Sequence, residues 1–220
     1  MVSVGDIIQG LDNAAAEEEW KELDETLRPY GKIPLYLAPG NHDVWSPESE
    51  KLFLKHSGHP LHYSFDYHQA HFVILDNSRS DALPPEEMQF LEKDLALHAS
   101  AAVKFVVFHR PSWILNVALG NPEFPLQQLA RKYGANYMIA GHMHQLIHAE
   151  LEGVTYLSMP SAGGHLRLSG RYQDGWFFGY AVVEVRERDA VFQIHELKPP
   201  HGEGRTTPLA DWGKAGLIAK

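Results

Sequence analysis

The sequence predicts a single α/β domain built on a mixed sheet or on two stacked sheets. Its first two thirds alternate short apolar runs with amphipathic segments, the wording of βα units. Its last third holds apolar runs separated only by turn residues, the wording of antiparallel strands. At 220 residues, 44% hydrophobic and 21% charged, the chain can bury one sizeable core or at most two small ones.

Residues 2–4 read as the end of a strand that runs at once into Gly-Asp. "NAAAEEEWKELDETLRPYG" is a helix with Asn13 as N-cap and Trp20, Leu23 and Leu27 on one face. "IPLYLAP" is a short apolar strand, and "SPESEKLFLKHSG" is a helix with Ser46 as N-cap and Pro47 at its first position. "HYSFDY" and "HFVILDN" are two paired strands. "PPEEMQFLEKDLALHA" is an amphipathic helix that turns Met88, Leu91 and Leu95 inward.

"VKFVVFH" is apolar throughout, as a strand covered on both faces should be. A looser stretch, "RPSWILNVALGNPEF", leads to the helix "PLQQLARKYG" and the strand "NYMIAGH". "LIHAEL", "VTYLSMP", "GWFFGYAVVEV" and "AVFQIHEL" are strands. Residues 1–198 are therefore taken as the domain, and 199–220, rich in Pro and Gly, as an extended arm with a short docked segment around Trp212.

A formal charge of −9 leaves no cationic surplus to neutralise phosphates, which argues against nonspecific binding to nucleic acid or to an anionic membrane. The absence of Cys excludes disulfides, Fe–S clusters and thiolate zinc sites. No apolar run approaches spanning length and no leader pattern is present, so the chain as written reads as soluble, with compartment and oligomeric state open. Twelve of the 14 His lie between His42 and His165, a density that prompts a search for metal-ligand spacing.

Four segments share one design, an apolar strand that ends in residues able to bind a metal: "VSVGD" with Asp6, "PLYLAPGNHD" with Asn41, His42 and Asp43, "KFVVFH" with His109, and "YMIAGHMH" with His142 and His144. In open α/β sheets the carboxyl ends of strands gather ligand-binding loops at one edge, so four strands would deliver these residues to one place.

In order and spacing, "GD", "GNHD", the strand-ending His and "GHMH" resemble the calcineurin-like metallophosphoesterases, a family that includes purple acid phosphatases and many phosphodiesterases. The resemblance covers residues 2–160. It implies an αββα four-layer sandwich of two mixed sheets with a dinuclear metal centre. It further implies that Asp6 bridges two metals, that Asn41, His109 and His142 hold one of them, and that His144 holds the other. His42 would meet the substrate phosphate and protonate the leaving oxygen, with Asp43 orienting it.

Mixed N/O ligation suits Mn, Fe or Zn. Such cations clamp phosphoryl oxygens and acidify a water, while an imidazole of ordinary pKa can release its proton to a departing alkoxide. The family's first motif, Asp-x-His on a preceding strand, has no counterpart in the sequence as written. The expectation is one well-held site, one site left with Asp6 and His144, and a first strand that is missing. Arg110 and His165 are weaker candidates for substrate contact, and Asn116 and Trp113 for the pocket border, with simple loop packing the leading reading of Trp113. The leading reading is a metal-dependent hydrolase of a phosphomonoester or phosphodiester. The alternative is a noncatalytic module of the same fold with one metal or none.

Overall fold

The computed structural model describes residues 1–166, 170–197 and 204–212. Strand β1 (Val2–Ser3) lies parallel to β2 (Tyr36–Leu37), with helix α1 (Asn13–Leu27) between them in sequence. The cap of α1 is Asp12, not Asn13: the Asp12 carboxylate accepts from Ala15 N at 2.8 Å, and Asn13 is already helical. Helix α2 (Pro47–Ser57) starts as expected at Ser46, in a reciprocal hydrogen-bond pair with Ser49, and stops at Gly58.

Strands β3 (Tyr63–Tyr67) and β4 (Ala70–Ile74) form an antiparallel hairpin, followed by α3 (Pro85–Leu97) and β5 (Val103–Val107). The looser stretch after β5 contains a short helix, α4 (Ile114–Ala118), before α5 (Pro125–Tyr133) and β6 (Tyr137–Ala140). Strands β7 (Ile147–Leu151), β8 (Val154–Ser158), β9 (Gly179–Val185), β10 (Ala190–Glu196) and β11 (Thr206–Pro208) complete the chain.

The main sheet runs β3-β4-β5-β6-β8-β7, parallel through β4, β5, β6 and β8 and antiparallel at both edges. Period-two alternation divides its side chains between two cores. Val73, Val106, Met138 and Tyr156 pack with Leu91 and Leu95 of α3 and with Leu126 and Ala130 of α5. On the other face, Phe105, Tyr137 and Leu157 meet Phe192 and Ile194 of β10, while Ile74 and Val107 meet Val4 and Ala38 after β1 and β2. Behind β2, Leu37 joins Trp20 of α1 and Phe53 of α2. The layers are thus α, β, β, α.

The second β layer, a mixed layer, consists of the parallel pair β1-β2 and the antiparallel sheet β11-β10-β9. Trp212 packs on Phe177, ring centroids 4.8 Å apart, beside β11. The remainder of the arm, 199–203 and 213–220, lies outside the described residues, as does residue 198. Among the described residues, no helix is long and apolar enough to cross a membrane.

A charged network ties β3 and β4 to α3. His71, only 1% exposed, has Asp66 Oδ1 2.8 Å from Nδ1 and Asp94 Oδ2 2.6 Å from Nε2, and Ser64 Oγ donates to Asp94 Oδ1 at 2.6 Å. Burial works to lower the pKa of His71, but the hydrogen bonds and charges of Asp94 and Asp66 outweigh it and hold the imidazole above its ordinary value. Stability from this group is fully present below the unfolded value of about 6.5 and is lost as pH rises through the folded value. His71→Leu is expected to cost about 3 kcal/mol in urea denaturation near pH 6. The same substitution should cost less near pH 9; an equal cost at both would contradict a buried imidazolium.

Candidate metal centre

The loops that follow β1, β2, β5 and β6 meet at one end of the β layers. The first two are in contact because both carry glycine. A Cβ on Gly40 would stand 2.2 Å from Asp6 N and 2.3 Å from Asp6 Oδ1, and Gly5, at φ +92°, lies against Gly40 and the His109 ring. Asp6, His142 and His144 all adopt left-handed backbone, φ 55°, 65° and 58°. Such conformations are costly for residues with a Cβ and persist where the surroundings enforce them.

At Asp6 the enforcing group is Asp43, whose side chain is fully buried. Its Oδ2 accepts from Asp6 N at 2.7 Å and Gly40 N at 2.8 Å, and its Oδ1 accepts from Ile7 N at 2.9 Å and Ile8 N at 3.3 Å. Burial, then the charge of Asp6, pushes its pKa up to about 6, against amides that favour the ionised form. This corrects the sequence expectation that Asp43 orients His42. Both carboxylate oxygens are taken by main chain, and His42 Nδ1 donates instead to the carbonyl of Gln9. That bond leaves Nε2 of His42, a partly buried residue, as the nitrogen available to another group.

His109 is wholly buried, and its Nδ1 donates to Val4 O at 2.7 Å. With Nδ1 engaged there, Nε2 faces Asp6 Oδ2 at 3.2 Å, Asn41 Oδ1 at 3.1 Å and His142 Nδ1 at 3.1 Å, donating a proton when the ring is charged and offering its lone pair when the ring is neutral. Burial, then the positive charges of His109 and Arg110, lowers the pKa of His142 to about 4, so its imidazole is neutral at pH 7. Burial works to raise the Asp6 pKa, but the His109 hydrogen bond and charge and the His42 amide, which donates to Oδ1 at 2.9 Å, hold it below the ordinary value.

The donor atoms of Asp6, His109 and His142 lie within 4.8 Å of one another, with the Asn41 carbonyl beside them. Two nitrogens and two oxygens converging in this way fit a divalent transition metal. Outer partners that fix ligating rings are the usual accompaniment of metal sites, and the Val4 carbonyl would serve as one for His109.

Other candidates lie outside this cluster. His144 Nδ1 donates to His165 O at 2.8 Å, and the two rings meet edge to face at 5.4 Å. The Arg110 guanidinium is turned to Asp81 at 2.6 Å and to Ser78 O at 3.3 Å, away from the open role in phosphate contact foreseen for it. Trp113, 1% exposed, packs on Tyr156 in the core. Asn116 accepts from Asn121 at 2.9 Å and braces its own loop.

Sequence reasoning passed over Asn77, buried beside His109. The signal was available, since "HFVILDN" is another apolar strand ending in polar residues. Asp66, His71 and His98 also bring donor atoms within 4.8 Å of one another. The His71 and His98 rings stack face to face at 3.8 Å, however, and no cation can lie in both ring planes.

Residues 1–146 match the family model for calcineurin-like phosphoesterases. Purple acid phosphatase 15 of Arabidopsis thaliana is 24% identical over an alignment 181 positions long, a match that covers 70% of this chain and 34% of that protein. The purple acid phosphatase PPD1 of yellow lupin (Lupinus luteus) seeds superposes with a TM-score of 0.68 at 15% identity, covering 94% of this chain and 45% of that one. Plasmodium GAP50, described as the anchor in the inner membrane complex, superposes with a TM-score of 0.60 at 17% identity, covering 94% and 76%. The chain spans about a third of the Arabidopsis relative and under half of the lupin structure. With the matched region covering well over half of its length, the chain belongs to the calcineurin-like phosphoesterase family.

Proposed function

We propose that this chain is a metal-dependent phosphoesterase that hydrolyses a phosphomonoester or phosphodiester with water. The reading is carried by the convergence of Asp6 Oδ2, Asn41 Oδ1, His109 Nε2 and His142 Nδ1 on one point, with His42 on the adjoining loop. These four residues would hold a divalent transition metal, Mn, Fe or Zn by ligand type. When bound, the metal supplies Lewis acidity toward a phosphoryl oxygen and lowers the pKa of water.

The chain's own residues do the rest. Asp43 and the two glycines hold the Gly-Asp and Gly-Asn-His-Asp loops in register, which keeps Asp6 and Asn41 on the same side of His109. His42, aligned by the Gln9 carbonyl through Nδ1, keeps Nε2 for the substrate and gives its proton to the departing alkoxide. His144 lies outside the cluster with His165 beside it; with Asp6 it would contribute to a second, more weakly held cation. A second reading, a noncatalytic module of the same fold that binds one cation, rests on that separation of His144 from the other donors.

Mn-loaded protein is expected to hydrolyse p-nitrophenyl phosphate or its bis-ester, and chelation should abolish turnover. His42→Ala should lower kcat by about 10²- to 10⁴-fold and leave Mn affinity intact. Absence of turnover in the wild-type chain at full Mn occupancy would favour the one-cation module.

Asp43→Asn acts differently, because an amide NH2 would face main-chain N–H donors. It should lower stability in urea by about 3 kcal/mol at neutral pH. A stability equal to wild type, with only the activity reduced, would return Asp43 to the role of orienting His42.

A further inference from the structure

We infer that Asn77 is a positioning residue for this cluster, fixing the main chain of His109 so that Nε2 faces Asp6, Asn41 and His142. The inference rests on the proposal that His109 holds a metal.

Strand β5 ends at Val107, and the neighbouring strand β4 ends at Ile74. One further main-chain bond follows, Leu75 N to Val107 O at 2.9 Å, and beyond it the His109 amide finds its acceptor in a side chain. Phe108 N still finds Ile139 O on the β6 side, at 3.1 Å, and His109 O still accepts from Gly141 N at 2.9 Å. On the β4 side the Asn77 side chain replaces the missing strand. Its Oδ1 accepts from His109 N at 3.0 Å and from Arg110 N at 2.9 Å, and its Nδ2 donates to Arg110 O at 2.7 Å.

Asn77 is 1% exposed, so these groups have no easy recourse to water. It is itself held from α3: buried Glu87 accepts from Asp76 N at 2.9 Å through Oε2 and faces His62 Nδ1 at 2.7 Å through Oε1. Ser78 N closes the turn on Asp76 Oδ1 at 2.8 Å. The His109 ring therefore has two locks, Val4 O on Nδ1 and Asn77 on the main chain. Together they set where the Nε2 lone pair points.

An amide suits this place better than its neighbours in shape. Asp would accept both N–H groups but set a carboxylate oxygen against the Arg110 carbonyl. Ala would leave the buried His109 N–H and the partly buried Arg110 N–H unpaired and free the chain at His109 to shift.

The test is Mn²⁺ titration calorimetry on the full chain, with thermal denaturation of the metal-free protein alongside. Three variants are compared with wild type: Asn77→Ala, Asn77→Asp and Gln127→Leu. Gln127 is equally buried but braces β7 and β8 away from the cluster, through Leu151 O and Tyr156. Asn77→Ala is expected to bind Mn²⁺ at least about tenfold more weakly. Asn77→Asp, which keeps the acceptor, should recover most of that affinity, and Gln127→Leu should lose stability with affinity unchanged.

Wild-type affinity in folded Asn77→Ala would overturn the inference and leave the metal proposal standing. Were Asn77→Ala not to fold, a tenfold loss in folded Asn77→Asp would overturn it, and near wild-type affinity there would support it. A wild-type chain that binds no Mn²⁺ would overturn the metal proposal and this inference with it.

Discussion

One buried carboxylate organises the site. The β1-β2 ladder is only two residues long, Val2 against Tyr36 and Ser3 against Leu37, and so short a ladder cannot by itself fix the loops that leave it. Asp43 does so, by accepting from four amides drawn from both loops. A fully buried carboxylate is costly unless its lone pairs are satisfied, and here main chain satisfies them. The requirement runs both ways, because Asp6, Ile7, Ile8 and Gly40 find in Asp43 the acceptor that regular structure does not offer them.

The chemistry follows from that constraint. With the loops joined, Asp6 is held in left-handed backbone, and its carboxylate is aimed at the strand-ending His109. His109 comes from a sheet strand buried along its whole length, which makes it the rigid reference of the cluster. Backbone strain at Asp6 and His142 is then tolerated because the surroundings leave no relaxed alternative. Four lone pairs held face to face in a buried place repel one another, and a cation among them would turn that repulsion into binding energy.

Much of this was legible in the sequence, where strand-ending polar residues recur on four apolar runs. Asp6, Asn41, His109 and His142 come together as that pattern implied. The role of Asp43 was not legible, because adjacency to His42 says nothing about which way a side chain turns in a tight loop. Asn77 was missed for a related reason: it acts through main chain, and main-chain partners leave no motif.

In the fold, the helices and the main sheet follow from periodicity. The α1 cap fell one residue early because Asp12 and Asn13 are both good caps, and only backbone geometry chooses between them. The division of the second β layer into a parallel pair and an antiparallel sheet depends on pairings between distant segments, which local pattern does not encode.

The most direct measurement is anomalous X-ray diffraction from crystals of the chain equilibrated with Zn²⁺ or Mn²⁺. The account predicts a peak among Asp6 Oδ2, Asn41 Oδ1, His109 Nε2 and His142 Nδ1. A metal bound at full occupancy elsewhere, with that position empty, would contradict it.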